Sequence, residues 1–104
     1  MKAHIRYAPS ASNDLAEIKQ YITEELANPQ AGIDIMRKIT KQVSSLQEFP
    51  DAGAPLSGLV GIKTNYRFLI CENYLTFYKH EEEMVSIIRV LYRKRDYMHV
   101  LFEE

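Results

Sequence analysis

The sequence has little cysteine, no long apolar run and almost no net charge, and each shortage excludes a class of protein. Cys71 is the only cysteine among 104 residues, which excludes an internal disulfide and a metal site built from several thiolates. It lies in an apolar, strand-like run, which favours a buried structural thiol. No apolar stretch approaches the roughly 18 residues of a membrane span, and the N-terminus lacks the apolar core of a signal peptide. We therefore expect a cytoplasmic protein with no membrane partner.

Common catalytic and metal-binding patterns are also missing. None of the glycines is followed by the Lys-Ser/Thr pair of a phosphate-binding loop. His4, His80 and His99 lie on three different segments, so no two histidines have ligand spacing on one element. No Ser-His-Asp or Cys-His arrangement has supporting context. We therefore expect no metal and no cofactor.

The charge is balanced overall but unevenly distributed. The chain has 13 basic and 14 acidic side chains, a net charge of −1, and an apolar share of 46%, which is ordinary for a globular protein. Its length predicts a single domain over residues 1–104. Acidic side chains dominate the first predicted helix, whereas residues 89–95 carry only positive charge. Such a charge dipole can present a basic face to an anion.

The first half of the chain predicts one strand and two helices. Residues 2–7 alternate apolar and polar side chains and read as a half-buried strand that ends before Pro9. Ser10 and Ser12 are candidate N-caps of the helix that follows. Asn28 and Pro29 read as the cap and first residue of a second helix, which must end near residue 50. The apolar stripes of the two helices are Ala11, Leu15, Ile18, Ile22 and Leu26, and then Met36, Ile39, Val43 and Leu46. The connection between the two helices is short, which predicts that they pack as an antiparallel helical hairpin.

The second half predicts a loop and a meander of strands. Residues 51–61 are rich in Gly, Pro and Ala, which predicts a surface loop with at most a short ordered piece. Strands are expected over residues 62–71, 74–80 and 85–93, and their connections are too short for parallel crossovers. The result is an α+β fold of order β-α-α-β-β-β, with the helical hairpin on one face of a mainly antiparallel four-stranded sheet. The other face has no second helical layer, so we expect it to meet solvent or a partner.

Arginines on adjacent strands are the candidate functional residues. Arg67 interrupts an apolar strand, and Arg89 and Arg93 lie four apart on the last strand. We expect their side chains to share one concave face that can bind a phosphoryl group, because an arginine within a strand costs desolvation unless it is paired. The alternative is structural salt bridging to Asp96 or Glu72. Further candidates for nucleic-acid binding or proton transfer are Lys63, His80, Lys94, Arg95, Tyr97 and His99.

Four segments, in this order, resemble the RelE/ParE superfamily of toxins from bacterial toxin–antitoxin pairs. They read AxxDLxxIxxYI from Ala11, LxxFPxxGxPL from Leu46, YRFLICENYLTFY from Tyr66 and IIRVLYRKRDYxxxLF from Ile87. The resemblance covers nearly the whole chain. It implies a compact toxin that a cognate antitoxin neutralises within a hetero-oligomer.

The resemblance implies two possible targets. One branch of the superfamily cleaves mRNA on the ribosome without a metal, and the other inhibits DNA gyrase. In the nuclease branch, Arg67 and Arg93 would contact the phosphate, and the aromatic acid or base would fall at Tyr97 or His99. That branch often carries two lysines on the preceding strand, where this chain has Gly58 and Val60, with Lys63 nearby.

Ribosome-dependent mRNA cleavage is the function expected from the sequence. A gyrase inhibitor like ParE is the alternative, because the C-terminal segment looks like the tail of ParE-type sequences. A non-toxic relative that binds its antitoxin is the third possibility.

Overall fold

The computed structural model describes residues 2–61 and 63–102. Ile62, the first residue of a predicted strand, and residues 103 and 104 lie outside the described part. In chain order the elements are β1 (His4–Tyr7), α1 (Pro9–Gln20), a π-helical turn (Tyr21–Glu25), α2 (Pro29–Ser44), a 3₁₀ turn (Ser45–Gln47), β2 (Ala54–Pro55), α3 (Ser57–Val60), β3 (Tyr66–Cys71), β4 (Tyr74–Glu81), β5 (Met84–Tyr92) and α4 (Tyr97–Phe102).

The two helices of the hairpin begin in different ways. α1 begins at Pro9 itself, with Ala8 as N-cap and no capping side chain, so the prediction of Ser10 or Ser12 as the cap is wrong. Proline suits the first helical position because its φ angle is already helical and its missing N–H would have no partner there. α2 begins as predicted, since the Asn28 side chain accepts a hydrogen bond of 3.1 Å from the amide of Ala31.

The sheet has five strands in the order β1-β5-β4-β3-β2. β1 pairs with β5 in parallel, and the other pairs are antiparallel. The predicted α+β fold with a helical hairpin and a mainly antiparallel sheet is confirmed. The expected count of four strands was one short, because the two-residue β2 forms within the predicted loop and pairs with β3. Among the described residues, no helix is long and apolar enough to cross a membrane.

The larger core lies between the helical hairpin and one face of the sheet. Both helical stripes and four strands, β1, β3, β4 and β5, contribute to it; its fully buried side chains include Ile39, Val43, Leu46, Tyr78, Val85 and Ile87. Leu26, the last residue of the first stripe, is 57% exposed, because the wider π-helical turn before it changes the helical period. Cys71 is half-buried at the margin of this core rather than fully buried, and desolvation raises the pKa of its thiol.

A second core covers part of the opposite face. Leu56, Leu75, Phe77 and Leu91 are buried there, and side chains of α3 and α4 pack on them. The expectation that this face lacks a covering layer is therefore wrong for the end of the sheet near α4. The short apolar run after the last strand forms a helix that returns over the strands, with the Tyr97 ring 5.4 Å from the Phe77 ring.

Candidate functional site

Arg67 holds the loop that follows α2. Its Nη1 donates to the carbonyl oxygens of Gly53 at 2.7 Å and Asp51 at 3.3 Å, and its Nε lies 3.5 Å from the Asp51 carboxylate. The side chain retains 30% exposure. A cation that is largely removed from water needs polar partners, and the loop supplies acceptors for this guanidinium group. The Arg67 guanidinium group is therefore already paired with groups of the folded chain.

His80 of β4 contacts the same loop as Arg67. Its Nδ1 is 2.8 Å from the Asp51 carboxylate, and its Nε2 is 2.8 Å from the carbonyl oxygen of Glu82. Both partners are acceptors, so both contacts are hydrogen bonds only when each ring nitrogen carries a proton. The hydrogen bond to His80 is the largest effect and lowers the pKa of the Asp51 carboxyl; desolvation opposes it, and the charges of His80 and Arg67 lower the pKa further.

Tyr78 anchors the same loop from the core. Its hydroxyl accepts from the amide of Gly53 at 2.8 Å and donates to the carbonyl of Pro50 at 2.9 Å. Desolvation raises the pKa of this fully buried phenol. A Cβ atom at Gly53 would lie 2.7 Å from the Tyr78 hydroxyl, so only glycine fits this close approach.

Arg89 forms a partly buried ion pair with Asp14 of α1. Its Nε and Nη2 donate to the two carboxylate oxygens at 2.6 and 2.9 Å, and Asp14 also accepts the amide of Val90 at 3.0 Å. The pairing of β1 with β5 ends at Tyr7 and Ile87, so the amide of Val90 has no partner on β1. The Asp14 carboxylate accepts its hydrogen bond instead. The hydrogen bond with Asp14 raises the pKa of Arg89.

The remaining cations form an exposed turn after β5. Arg93, Lys94 and Arg95 are all exposed, and within residues 2–61 and 63–102 none of them has a salt bridge. The amide of Arg93 donates to the carbonyl of Asn73 at 2.8 Å, which fixes the start of the turn against the β3–β4 connection. This turn is a cluster of cations that the fold leaves available to an anion.

The other predicted residues lie around α4 and β3. Tyr97 begins α4 and is half-buried against Phe77, whereas His99 is exposed on the same helix. The amide of His99 donates to the Asp96 carboxylate at 3.2 Å. Lys63 is exposed in the segment before β3.

The structure does not bring the three arginines together. Arg67 of β3 lies opposite Tyr78 of β4. Four residues further along β3, Cys71 lies opposite Tyr74, and Tyr74 in turn pairs with Tyr92 of β5. Arg93 follows Tyr92, so five residue steps of about 3.3 Å, and two strand spacings of about 4.8 Å, separate it from Arg67 by roughly 19 Å. The expectation of a shared concave face is therefore wrong. Arg67 and His80 meet at one end of the sheet, and Arg93 to Tyr97 meet at the other.

The acidic partners of the arginines also differ from those expected. Arg67 pairs with Asp51 and Arg89 with Asp14, whereas Glu72 pairs with Lys38 at 2.6 Å. Asp14 gave one signal in the sequence, because it is a carboxylate near the apolar stripe of α1. Asp51 gave none, because the contact depends on how the loop folds back over β3.

A groove of about 520 Å³ lies between α1 and the ends of β4 and β5. Tyr21, Tyr74, Tyr92 and Arg95 are among the residues that line it. Tyr21 and Tyr92 are 52% and 43% exposed. Arg95 is the one member of the basic turn among the residues that line this groove.

Comparison with known proteins identifies relatives of this fold. The model of the family described as the ParE toxin of type II toxin–antitoxin systems, parDE, matches residues 5–97. No curated protein matches the chain by sequence. A chromosomal ParDE toxin–antitoxin system from P. aeruginosa contains a chain with 20% identity and a TM-score of 0.72, and the match covers 88% of this chain and 96% of that one.

Two further structures share the fold. The E. coli DinJ–YafQ toxin–antitoxin complex matches with 15% identity and a TM-score of 0.60, over 98% of this chain and 99% of that one. The RelBE2 toxin–antitoxin complex from Mycobacterium tuberculosis matches with 17% identity and a TM-score of 0.54, over 89% and 100%. At these identities the likeness concerns the fold.

Proposed function

Because the family match spans residues 5–97, the chain belongs to the ParE toxin family of type II toxin–antitoxin systems, and we propose that it arrests growth by inhibiting DNA gyrase rather than by cleaving mRNA. The observation that carries this proposal is the separation of Arg67 from Arg93. A nuclease that works without a metal needs cationic and proton-transfer groups converging on one phosphate. Here Arg67 is bound to the loop after α2, Arg89 is bound to Asp14, and Arg93 lies at the far end of the sheet.

We further propose that a cognate antitoxin neutralises this toxin in a hetero-oligomer. Three structural neighbours come from toxin–antitoxin systems, and two of these are described as complexes. The exposed tyrosines of the groove beside α1 supply apolar surface that a partner can bury.

mRNA cleavage is the second candidate, and the basic turn favours it. Arg93, Lys94 and Arg95 are exposed, and Tyr97 and His99 follow within a few residues. Such a cluster supplies cations for a phosphate and groups that can transfer a proton. The basic turn lacks the phosphate contact that the resemblance implied for Arg67, because Arg67 lies roughly 19 Å from Arg93.

The test is to induce the toxin without its antitoxin and to label newly made DNA and protein separately. The proposal expects DNA synthesis to fail first while messages stay intact, and purified toxin to inhibit supercoiling by gyrase. Immediate arrest of translation with truncated messages would reject it in favour of the nuclease. Unimpaired growth would reject both and leave a non-toxic antitoxin-binding protein.

Two matched variants add residue-level information. If the basic turn acts as a nuclease site, Arg93→Ala abolishes message cleavage and leaves the thermal melt unchanged, because its side chain has no salt bridge among the described residues. Arg67→Ala lowers the melting temperature under either function, because it removes the bonds to residues 51 and 53.

A further inference from the structure

The open part of the sheet face opposite the helical hairpin carries two cations, aligned across the strands, that the candidate site does not include. Ile5 and Tyr7 pack on the larger core, so the alternation of a strand places Arg6 on the opposite face. The strand register then aligns Arg6 with Ser86, Ser86 with Lys79, and Lys79 with Tyr66. We call these four residues the basic row.

The cations of the basic row have no acidic partner in the described part of the chain. Neither Arg6 nor Lys79 has a salt bridge within residues 2–61 and 63–102. Glu81 marks the border toward the β4–β5 turn, and its carboxylate accepts a hydrogen bond of 3.3 Å from Asn65. Together with Glu81, Arg6 and Lys79 give this face a small excess of positive charge in a chain of net charge −1.

Aromatic rings continue the row toward α4. The Lys79 ammonium lies 5.0 Å from the centre of the Tyr66 ring, and Tyr66 stacks on Phe102 at 5.5 Å with an interplanar angle of 21°. Phe102 is 40% exposed, so the stack ends on an accessible ring. The cation–π contact also orients Lys79 before any ligand arrives.

Cations beside a stacking ring are the features that bind a single nucleic-acid strand. The Cα atoms of Arg6 and Lys79 lie two strand spacings apart, roughly 10 Å, so the two side chains can contact separate phosphates. An unpaired base can stack on an exposed aromatic ring, whereas the bases of a duplex are already stacked on each other. We propose that the basic row and Phe102 bind single-stranded nucleic acid, with Arg6 and Lys79 on phosphates and a base stacked on Phe102.

Binding by the basic row does not depend on which target the toxin inhibits. It involves β1, β4 and α4, and it assigns roles to Arg6, Lys79 and Phe102. Phosphate contact and base stacking are common to DNA and RNA, so both strands are used as probes. The 2′-hydroxyl group of RNA is the feature that can distinguish them.

The experiment measures the dissociation constant of the full chain for a short fluorescent oligonucleotide as single-stranded DNA, single-stranded RNA and duplex DNA. Each measurement is repeated between about 50 and 200 mM salt, because phosphate contacts release counterions. We expect both single strands to bind more tightly than the duplex. Equal binding of DNA and RNA would indicate phosphate and base contacts alone, and tighter RNA binding would indicate an added contact to the 2′-hydroxyl; both agree with the proposal.

The variants separate charge from stacking. The slope of log K against log salt is negative, and its magnitude reports the number of phosphate contacts. Arg6→Gln and Lys79→Gln should each reduce this magnitude by about 0.7, the value for one phosphate of a single strand. Phe102→Leu should weaken binding about fivefold or more and leave the slope unchanged, and Phe102→Tyr should restore binding. Lys41→Gln is the control, since Lys41 is an exposed cation of α2 with no salt bridge among the described residues.

Two results would overturn the proposal. One is a magnitude of the salt slope that is reduced as much by Lys41→Gln as by Arg6→Gln, because binding would then depend on the net charge of the chain rather than on the cations of the basic row. The other is single-strand binding no tighter than duplex binding. Melting temperatures of all variants, compared with the unsubstituted chain, establish that each remains folded.

Discussion

Asp14→Ala is expected to lower the free energy of unfolding by about 3 kcal/mol, within the range of about 3–5 kcal/mol for breaking a buried ion pair by removing one partner. Asp14 is 5% exposed and holds Arg89 through two hydrogen bonds of 2.6 and 2.9 Å. The Arg89 side chain keeps 23% exposure, so water can partly solvate the unpaired guanidinium group, which favours the lower end of the range. The amide of Val90 also loses its acceptor.

The change is large relative to the stability of a domain this size. Folded domains are stable by about 5–15 kcal/mol, and 1 kcal/mol shifts the melting temperature of a chain of about 100 residues by about 4–8 °C. Asp14→Ala should therefore melt at a temperature lower by about 12–24 °C. Urea unfolding followed by circular dichroism, together with thermal melts, measures both quantities.

A double-mutant cycle and a surface control complete the experiment. Asp14→Ala combined with Arg89→Met should show a coupling of about 1–3 kcal/mol, because the charge that is left unpaired in the single variant is absent from the double variant. Asp34→Ala removes an exposed ion pair with Arg37 at 3.6 Å and should cost less than about 1 kcal/mol. Equal costs for Asp14→Ala and Asp34→Ala would refute the reasoning, since burial would then contribute nothing.

Three further predictions concern the loop after α2. Gly53→Ala should cost about 1–3 kcal/mol of unfolding free energy in urea titrations, because its Cβ would lie 2.7 Å from the Tyr78 hydroxyl. Gly58→Ala is the control and should be neutral, because no atom lies within 4 Å of the added Cβ. Similar losses for both variants would contradict the prediction. Tyr78→Phe should cost about 1–3 kcal/mol in the same assay, because a buried amide and a carbonyl lose their partner, and an unchanged urea midpoint would show that water replaces the hydroxyl. The contacts of Asp51 with His80 lower the pKa of the Asp51 carboxyl, so their stabilisation is present above the unfolded pKa of about 4 and is lost as the pH falls through the lower folded pKa. The difference in melting temperature between the unsubstituted chain and Asp51→Asn should therefore shrink as the pH falls below about 4, and a difference that grows toward acid would contradict the prediction.

Local patterns were sufficient to predict the helical hairpin and the strand meander. The spacing of Ala11, Ile18 and Ile22 indicates one buried helical face, and Asn28 before Pro29 marks the start of the second helix through a capping bond within three residues. The short connections between the last strands permit only antiparallel pairing. These features depend on neighbours in the sequence, so the sequence displays them.

The layout of the candidate site depends on contacts between distant residues. The sequence identified Arg67 and Arg93, but their separation follows from the strand register, and the partner of Arg67 lies on a loop 16 residues earlier. The covering role of α4 was missed because its apolar run is only six residues long, too short to show a helical period. The alignment of Arg6 with Lys79 passes through β5 and required the parallel pairing of β1.

The pairing of β1 with β5 joins residues about 80 positions apart, which constrains the order in which the fold can form. Among the described strands, β1 is paired with β5 alone, and Asp14 reaches Val90 across 76 residues of sequence. The helical hairpin is local and can form early in synthesis, but β5, against which it packs, is made only after the hairpin and the strands β2, β3 and β4. A growing chain therefore exposes the apolar stripes of both helices until β5 arrives. The fold is complete only after β5 has been made.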